Sequence, residues 1–205
     1  MSLAEPLRRL TPDEYLEIER VAEFKSEFFA GEMFARAGGT PQHSLIATNL
    51  AREFGNLLKG GDCAAYNADL RIKIEATGLY TYPDLSVICG PLQFDEGTND
   101  TVINPTVLVE VLSDSTEAYD RGKKFEHYRQ IPALKDYLLV SQKEPRIEHF
   151  IRQSDGGWLL NESAGLEASL QLPSLRIAIA LGEVFDKVNF IPAPIRIVVP
   201  RNAAG

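Results

Sequence analysis

Two cysteines, two methionines and one tryptophan are all that this chain of 205 residues has of those types. Cys63 and Cys89 stand far apart and form no CxxC, which excludes the usual redox and zinc-ribbon motifs; reduced, packed thiols are the expectation. His127 and His149 have no zinc-ligand partners at useful spacing and read as structural or surface residues. No apolar run reaches the length a membrane span needs, and the opening MSLAEPLRRL lacks the apolar centre of a signal peptide. A cytoplasmic protein with no membrane partner is therefore expected. Positive charge is also scarce. A net charge of -8 and a pI near 5.0 argue against coating nucleic acid by charge alone, but not against gripping phosphates locally through a metal. The chain carries no phosphate-binding Gly-rich loop, no G-x-S-x-G elbow, no dinucleotide fingerprint and no internal repeat.

What remains is ordinary globular material, 44% hydrophobic and 24% charged, and the length suits one domain spanning residues 1–205. Thr11-Pro12-Asp13-Glu14 reads as a capping box that starts a helix with Tyr15, Leu16 and Ile18 on its apolar side. Glu27 to Phe34 reads as a hairpin turning near Gly31. Thr40-Pro41 starts a second helix, with Leu45, Ile46, Leu50, Phe54, Leu57 and Leu58 at helical spacing and Gly60-Gly61 as its stop. Asp69 to Glu75 alternates, so Leu70, Ile72 and Ile74 are expected inside and Arg71, Lys73 and Glu75 in water. Tyr82–Cys89 and Thr106–Leu112 are apolar on both faces, the mark of central strands. The polar stretch from Gly90 to Asn104 that joins them is expected to be a mobile loop. A helix is expected within Thr116–Gln130, starting near Asp120 because Gly122 weakens its early part by roughly 1 kcal/mol. Tyr137–Ser141 and Ile147–Arg152 read as strands, and the region beyond is placed only loosely.

The chemistry is expected to centre on Glu110. It lies inside Val107-Leu108-Val109-Glu110-Val111-Leu112, where a carboxylate loses hydration at a cost of several kcal/mol unless a cation or donors compensate. A buried salt bridge and a metal ligand account for this residue about equally well. Asp84 shifts the balance towards metal, because it sits at the lip of one buried strand and next in order to the strand of Glu110. If the two strands pair, both carboxylates can share one hard cation, and Mg²⁺ suits one or two carboxylates with retained waters. Lys124 is the third candidate, on one helix face with Asp120 and Tyr128. Beside the carboxylates its ammonium could orient a water or offset developing charge; without them a surface ion pair would explain it. Glu27 and His43 are weighed evenly or nearly so. Glu27 is either a solvated strand-end charge or part of the site. His43, in the first turn of the second helix, is either a packing histidine or a substrate-phosphate contact.

These residues resemble the restriction-endonuclease-like superfamily with its PD-(D/E)XK motif, and more closely the bacterial Uma-two family. The pieces that carry the resemblance are Glu27-Phe28-Phe29-Ala30-Gly31-Glu32, His43, Tyr82-Pro83-Asp84-Leu85-Ser86-Val87, Glu110-Val111-Leu112-Ser113 with Thr116, and Asp120-Arg121-Gly122-Lys123-Lys124 through Tyr128. They run in family order from about residue 10 to residue 155, which makes 156–205 a C-terminal extension. The resemblance implies an α/β (α+β) fold: a mixed β-sheet core flanked by helices, with extra hairpin strands. It also implies Mg²⁺ or Mn²⁺ dependence and phosphodiester hydrolysis. It assigns Asp84 and Glu110 to the metal, makes Glu27 a further acidic candidate and makes Lys124 the catalytic lysine. The sequence departs from the strict motif, since Leu112 stands where the lysine would follow Glu110, so Lys124 must reach back from the next helix.

The reading that follows is a metal-dependent endonuclease, with DNA as the expected substrate. Two rivals are a non-catalytic interaction module that keeps the fold, and a metal-dependent hydrolase of a small phosphorylated molecule. The apolar Ile195-Arg196-Ile197-Val198-Val199 segment points to a homodimer.

Overall fold

The structure, a computed structural model, describes residues 8–36 and 38–190. The Ile195–Val199 segment, and the homodimer expectation built on it, lie outside the described residues.

Helix α1 (Pro12–Val21) begins with the expected capping box: Thr11 accepts from the Glu14 amide while Glu14 accepts from the Thr11 amide. Tyr15 and Leu16 are buried, whereas Ile18 is 43% exposed. The hairpin follows as β1 (Ser26–Phe29) and β2 (Glu32–Ala35), with Phe29 opposite Glu32 so that only Ala30 and Gly31 form the turn. Both have positive φ, 51° and 87°, the conformation of a two-residue hairpin turn; a Cβ on Gly31 would meet Arg9 Cβ at 2.6 Å. Helix α2 (Pro41–Leu57) is capped by the Thr40 hydroxyl and buries Ile46, Leu50 and Phe54.

Then come β3 (Cys63–Asn67), β4 (Arg71–Ile74), β5 (Leu79–Thr81), β6 (Leu85–Cys89), β7 (Thr101–Val102) and β8 (Val107–Val111). The helical segment is α3 (Glu117–Tyr119), a π-helical turn (Asp120–Lys124) and α4 (Phe125–Tyr128). It leads to β9 (Asp136–Val140), β10 (Arg146–Arg152), β11 (Trp158–Ala164), β12 (Ser169–Leu172), β13 (Ile177–Ala180) and α5 (Leu181–Val184). One sheet runs β2-β1-β5-β4-β7, a second runs β11-β10-β9-β8-β6-β3, and β12 pairs with β13. Within the second sheet β8 is antiparallel to β6 and parallel to β9, so the helical segment is the crossover between parallel neighbours.

Three apolar clusters hold these layers together. On one face of the six-stranded sheet, Val87, Val107, Val109, Val111 and Leu138 pack on α2, the β12–β13 hairpin and α5. On its other face, Ile88, Leu108, Leu112, Tyr137 and Leu139 meet Ile72, Ile74 and Leu79 of the first sheet and Tyr128 of α4. The far side of the first sheet is closed by α1, with Tyr15 stacked on Phe28 at 4.8 Å between ring centroids. Alternating faces of β8 are thus buried twice, which is why its sequence is a continuous apolar run. Among the described residues no helix is long and apolar enough to cross a membrane.

Four expectations are corrected here. Arg71 is buried, not in water: α1 covers that face of β4, and the guanidinium is satisfied by Thr101, Tyr82 and Asp100. The Gly90–Asn104 stretch is tied down, since β7 within it pairs parallel to β4 and Phe94 bridges Val102. The helical segment starts at Glu117, and Gly122 marks a π-turn rather than a late start. Cys63 and Cys89 are bonded to each other, because they are direct partners across β3 and β6 with 3.9 Å between their Cα atoms. Sequence distance hid a pairing that sheet register makes.

Candidate active site

The site lies where the facing sides of the two large sheets meet the helical segment. Leu85 pairs with Val109, so the next pair outwards sets Asp84 beside Glu110 on one face of the six-stranded sheet. Glu27 comes from β1 of the other sheet, and Lys124, Asp120 and Tyr128 come from the crossover segment. All six are buried, at 9% exposure or less. The sequence placed Asp84, Glu110, Lys124 and Glu27 as candidates; the fold holds Glu110 and Glu27 on Lys124, and sets Asp84 next to Glu110 in register with partners of its own.

Lys124 is the shared cation. Its Nζ is 2.8 Å from Glu110 Oε1, 3.2 Å from Glu27 Oε1 and 3.6 Å from Asp120 Oδ1. The π-turn in which it sits widens the helix at the point of approach, and the Asp120 carbonyl accepts from Tyr137 Oη at 3.1 Å. Burial favours a neutral amine here, but Glu110, Glu27 and Asp120 outweigh it and hold the ammonium well above its ordinary range. Glu110 also accepts from Tyr128 Oη at 2.7 Å, and Glu27 from Thr81 Oγ1 at 2.6 Å. Burial nevertheless pushes the Glu110 carboxyl up to about 8, against the pull of Lys124. Asp120 is likewise pushed up, first by burial.

Asp84 has a different set of partners. Its Oδ2 accepts from the Val111 amide at 2.8 Å and lies 3.1 Å from His43 Nε2, while Oδ1 accepts from Arg36 Nη2 at 3.1 Å. Burial alone would push its carboxyl up. The hydrogen bond and charge of His43, the Val111 amide and Arg36 outweigh that and hold it below the usual carboxylate range. His43 is lifted above its ordinary value, chiefly by the Asp84 hydrogen bond. Its ring is backed closely by Gly39, where a Cβ would lie 2.8 Å from Nδ1.

This pairing has a pH signature. An Asp held low stabilises the fold above ~4 and loses that contribution as pH falls through its folded value; a His held high contributes below ~6.5 and loses it as pH rises through its folded value. Replacing His43 with Gln keeps a donor but removes the titration. Thermal melts from acid to alkaline pH are expected to show the wild type's advantage largest at about pH 4–6.5 and shrinking above it. A difference that stays constant across that range would refute the charged pair.

Arg36 and Thr81 were not singled out by sequence: an arginine after a short hairpin strand and a threonine in an apolar strand carry no motif. Asp120 and Tyr128 were visible only through their spacing from Lys124. Arg121 and Lys123, weighed as phosphate contacts, are engaged elsewhere, Arg121 with Glu117 and Glu148 and Lys123 with Glu126. His127 packs its edge against Phe29, and buried His149 lies 2.6 Å from Asp136.

Two large mixed sheets with few helices define the class, a mixed α+β fold. The same fold is seen in the crystal structure of a "putative nuclease belonging to DUF820" from Anabaena variabilis ATCC 29413. The TM-score is 0.70, with 19% identity over 86% of this chain and 97% of that one. The chain belongs to the Uma2 family, described as "Putative restriction endonuclease", whose profile matches residues 12–182. Two relatives from Synechocystis sp. are similar over most of their length. The uncharacterized protein slr1290 is 42% identical, covering 90% of this chain and 96% of that protein. The uncharacterized protein sll1609 is 36% identical, covering 82% and 95%.

Proposed function

We propose that this chain is a Mg²⁺- or Mn²⁺-dependent endonuclease that hydrolyses phosphodiester bonds of DNA. The observation that carries the reading is a buried site in which Glu110 and Glu27, from facing sheets, share Lys124 of the crossover, with Asp84 beside Glu110 in strand register. The family description and the fold shared with the Anabaena protein support it.

The donor set fits a hard divalent ion. Among the described residues four carboxylates, Glu27, Asp84, Glu110 and Asp120, face the cations Lys124 and Arg36 and a protonatable His43, and Glu110 is pushed up first by burial and then by the neighbouring Asp84 and Asp120. Among the described residues no three His, Cys, Asp or Glu side chains converge as a ready ligand set. The pair Asp84 and Glu110 is then the donor set, sufficient for an ion that keeps several waters. When bound, the ion would polarise the phosphate and make the attacking water more acidic.

The protein's own groups have definable tasks. Tyr128 and Lys124 fix the orientation of Glu110, and the Val111 amide fixes Asp84. Lys124, with its charge held by three carboxylates, would orient the attacking water or offset charge on the phosphorane. Glu27, anchored by Thr81, keeps Lys124 in place and remains a further acidic candidate. His43 would meet a substrate phosphate from the first turn of α2.

Plasmid cleavage tests the reading. With Mg²⁺ or Mn²⁺ the wild type is expected to nick or linearise DNA, and Asp84→Ala and Glu110→Ala are expected to lose about a hundredfold or more. Cleavage that survives excess EDTA, or that is unchanged in both variants, would sink it.

A further inference from the structure

The two oxygens of Asp84 are held unequally. Oδ2 has two donors, the Val111 amide at 2.8 Å and His43 Nε2 at 3.1 Å; Oδ1 has Arg36 Nη2 alone, at 3.1 Å. These holds also differ in how readily they yield. The amide belongs to a central strand, and His43 is fixed in a helix of 17 residues with Gly39 against its ring. Arg36 lies just past β2, its side chain is 24% exposed, and Asp84 is its one side-chain hydrogen-bond partner among the described residues. A guanidinium cannot leave by losing its proton, so when it vacates Oδ1 it carries its full charge to a new partner, and a second anion suits it better than water.

We propose that Arg36 is an exchangeable cation: it neutralises Asp84 Oδ1 in the ion-free site and transfers to a DNA phosphate when Asp84 turns to the metal. This rests on the endonuclease reading above and adds to it a substrate-anchoring residue. The exchange conserves charge at each stage, because Asp84 always faces a cation and the arginine always faces an anion. A guanidinium suits both partners, since its fork matches carboxylate and phosphate alike. The competing account is a static clamp that only orients Asp84, and it makes opposite predictions.

The test compares wild type with Arg36→Met and Arg36→Lys, after melts confirm that each is folded. Binding to a DNA duplex is followed by fluorescence anisotropy across a salt series, in Ca²⁺ and in EDTA. Mn²⁺ binding without DNA is followed by calorimetry. In Ca²⁺, Arg36→Met is expected to bind duplex about tenfold more weakly, with the slope of log K on log salt reduced by about 0.9, one phosphate contact fewer. In EDTA the two proteins should bind alike, because Arg36 is then engaged with Asp84. Mn²⁺ should bind Arg36→Met several-fold more tightly, and Arg36→Lys should keep the wild-type slope. An equal DNA-binding loss in Ca²⁺ and EDTA, or weaker Mn²⁺ binding by Arg36→Met, would overturn the exchange. Wild type that binds both ion and duplex, with Arg36→Met unchanged, overturns this inference alone. Wild type that takes up neither overturns the endonuclease reading with it.

Discussion

Glu110→Gln is expected to raise the stability of the metal-free protein at alkaline pH while removing its cleavage activity. Glu110 has an ordinary carboxylate value near 4.5 when unfolded and is pushed up to about 8 when folded, first by burial. The folded chain therefore holds a proton that the unfolded chain has lost between those values. Stability must fall as pH rises through that window, and the full deficit is present above pH 8. The glutamine variant has no such slope, and Lys124 keeps Glu27 and Asp120 as partners. Urea or thermal unfolding in EDTA should show no gain at pH 5 and a gain of about 2–4 kcal/mol near pH 8.5. Mg²⁺ or Mn²⁺ should close the gap by stabilising wild type and leaving Glu110→Gln unmoved. A variant less stable than wild type at every pH would mean that Glu110 is chiefly a structural partner of Lys124 and Tyr128. Retained cleavage would remove it from the metal site.

Much of the scaffold was legible because local chemistry and tertiary packing agree. Thr11 to Glu14 specifies its helix start with groups three residues apart, and the run around Glu110 records burial on two faces in its own composition. Glu110 stood out for the same reason, as a charge that local pattern could not explain. Arg71 misled because alternation reports which residues share a face, but not whether α1 covers the polar one. Cys63 and Cys89 misled similarly: separation along the chain says nothing about two residues that strand register sets side by side. The π-turn was half visible, since Gly122 announced a weak helix but not the direction in which the backbone would yield. Arg36 left no trace at all, because its role depends on where the hairpin end falls relative to Asp84.

Lys124→Met should be the most damaging single change in the site, and the reason distinguishes its structural from its chemical task. The substitution leaves Glu27, Glu110 and Asp120 facing one another without the ammonium that lies 3.2, 2.8 and 3.6 Å from them. Removing one partner from a buried ion cluster costs about 3–5 kcal/mol. The loss should be greatest at alkaline pH, where all three carboxylates are charged. It should lessen at acid pH, where Glu110 and Asp120, both pushed up by burial, take up protons in place of the missing charge. A divalent ion can replace the lost positive charge, so Mn²⁺ should recover much of the melting temperature of Lys124→Met. It cannot replace an ammonium that orients water or meets developing charge, so cleavage should stay about a hundredfold or more below wild type even in the restored protein. Calorimetry and plasmid cleavage on the same Mn²⁺-loaded sample make the comparison direct. If activity returns together with stability, Lys124 serves only to neutralise the carboxylates, and the lysine of this site must be sought elsewhere.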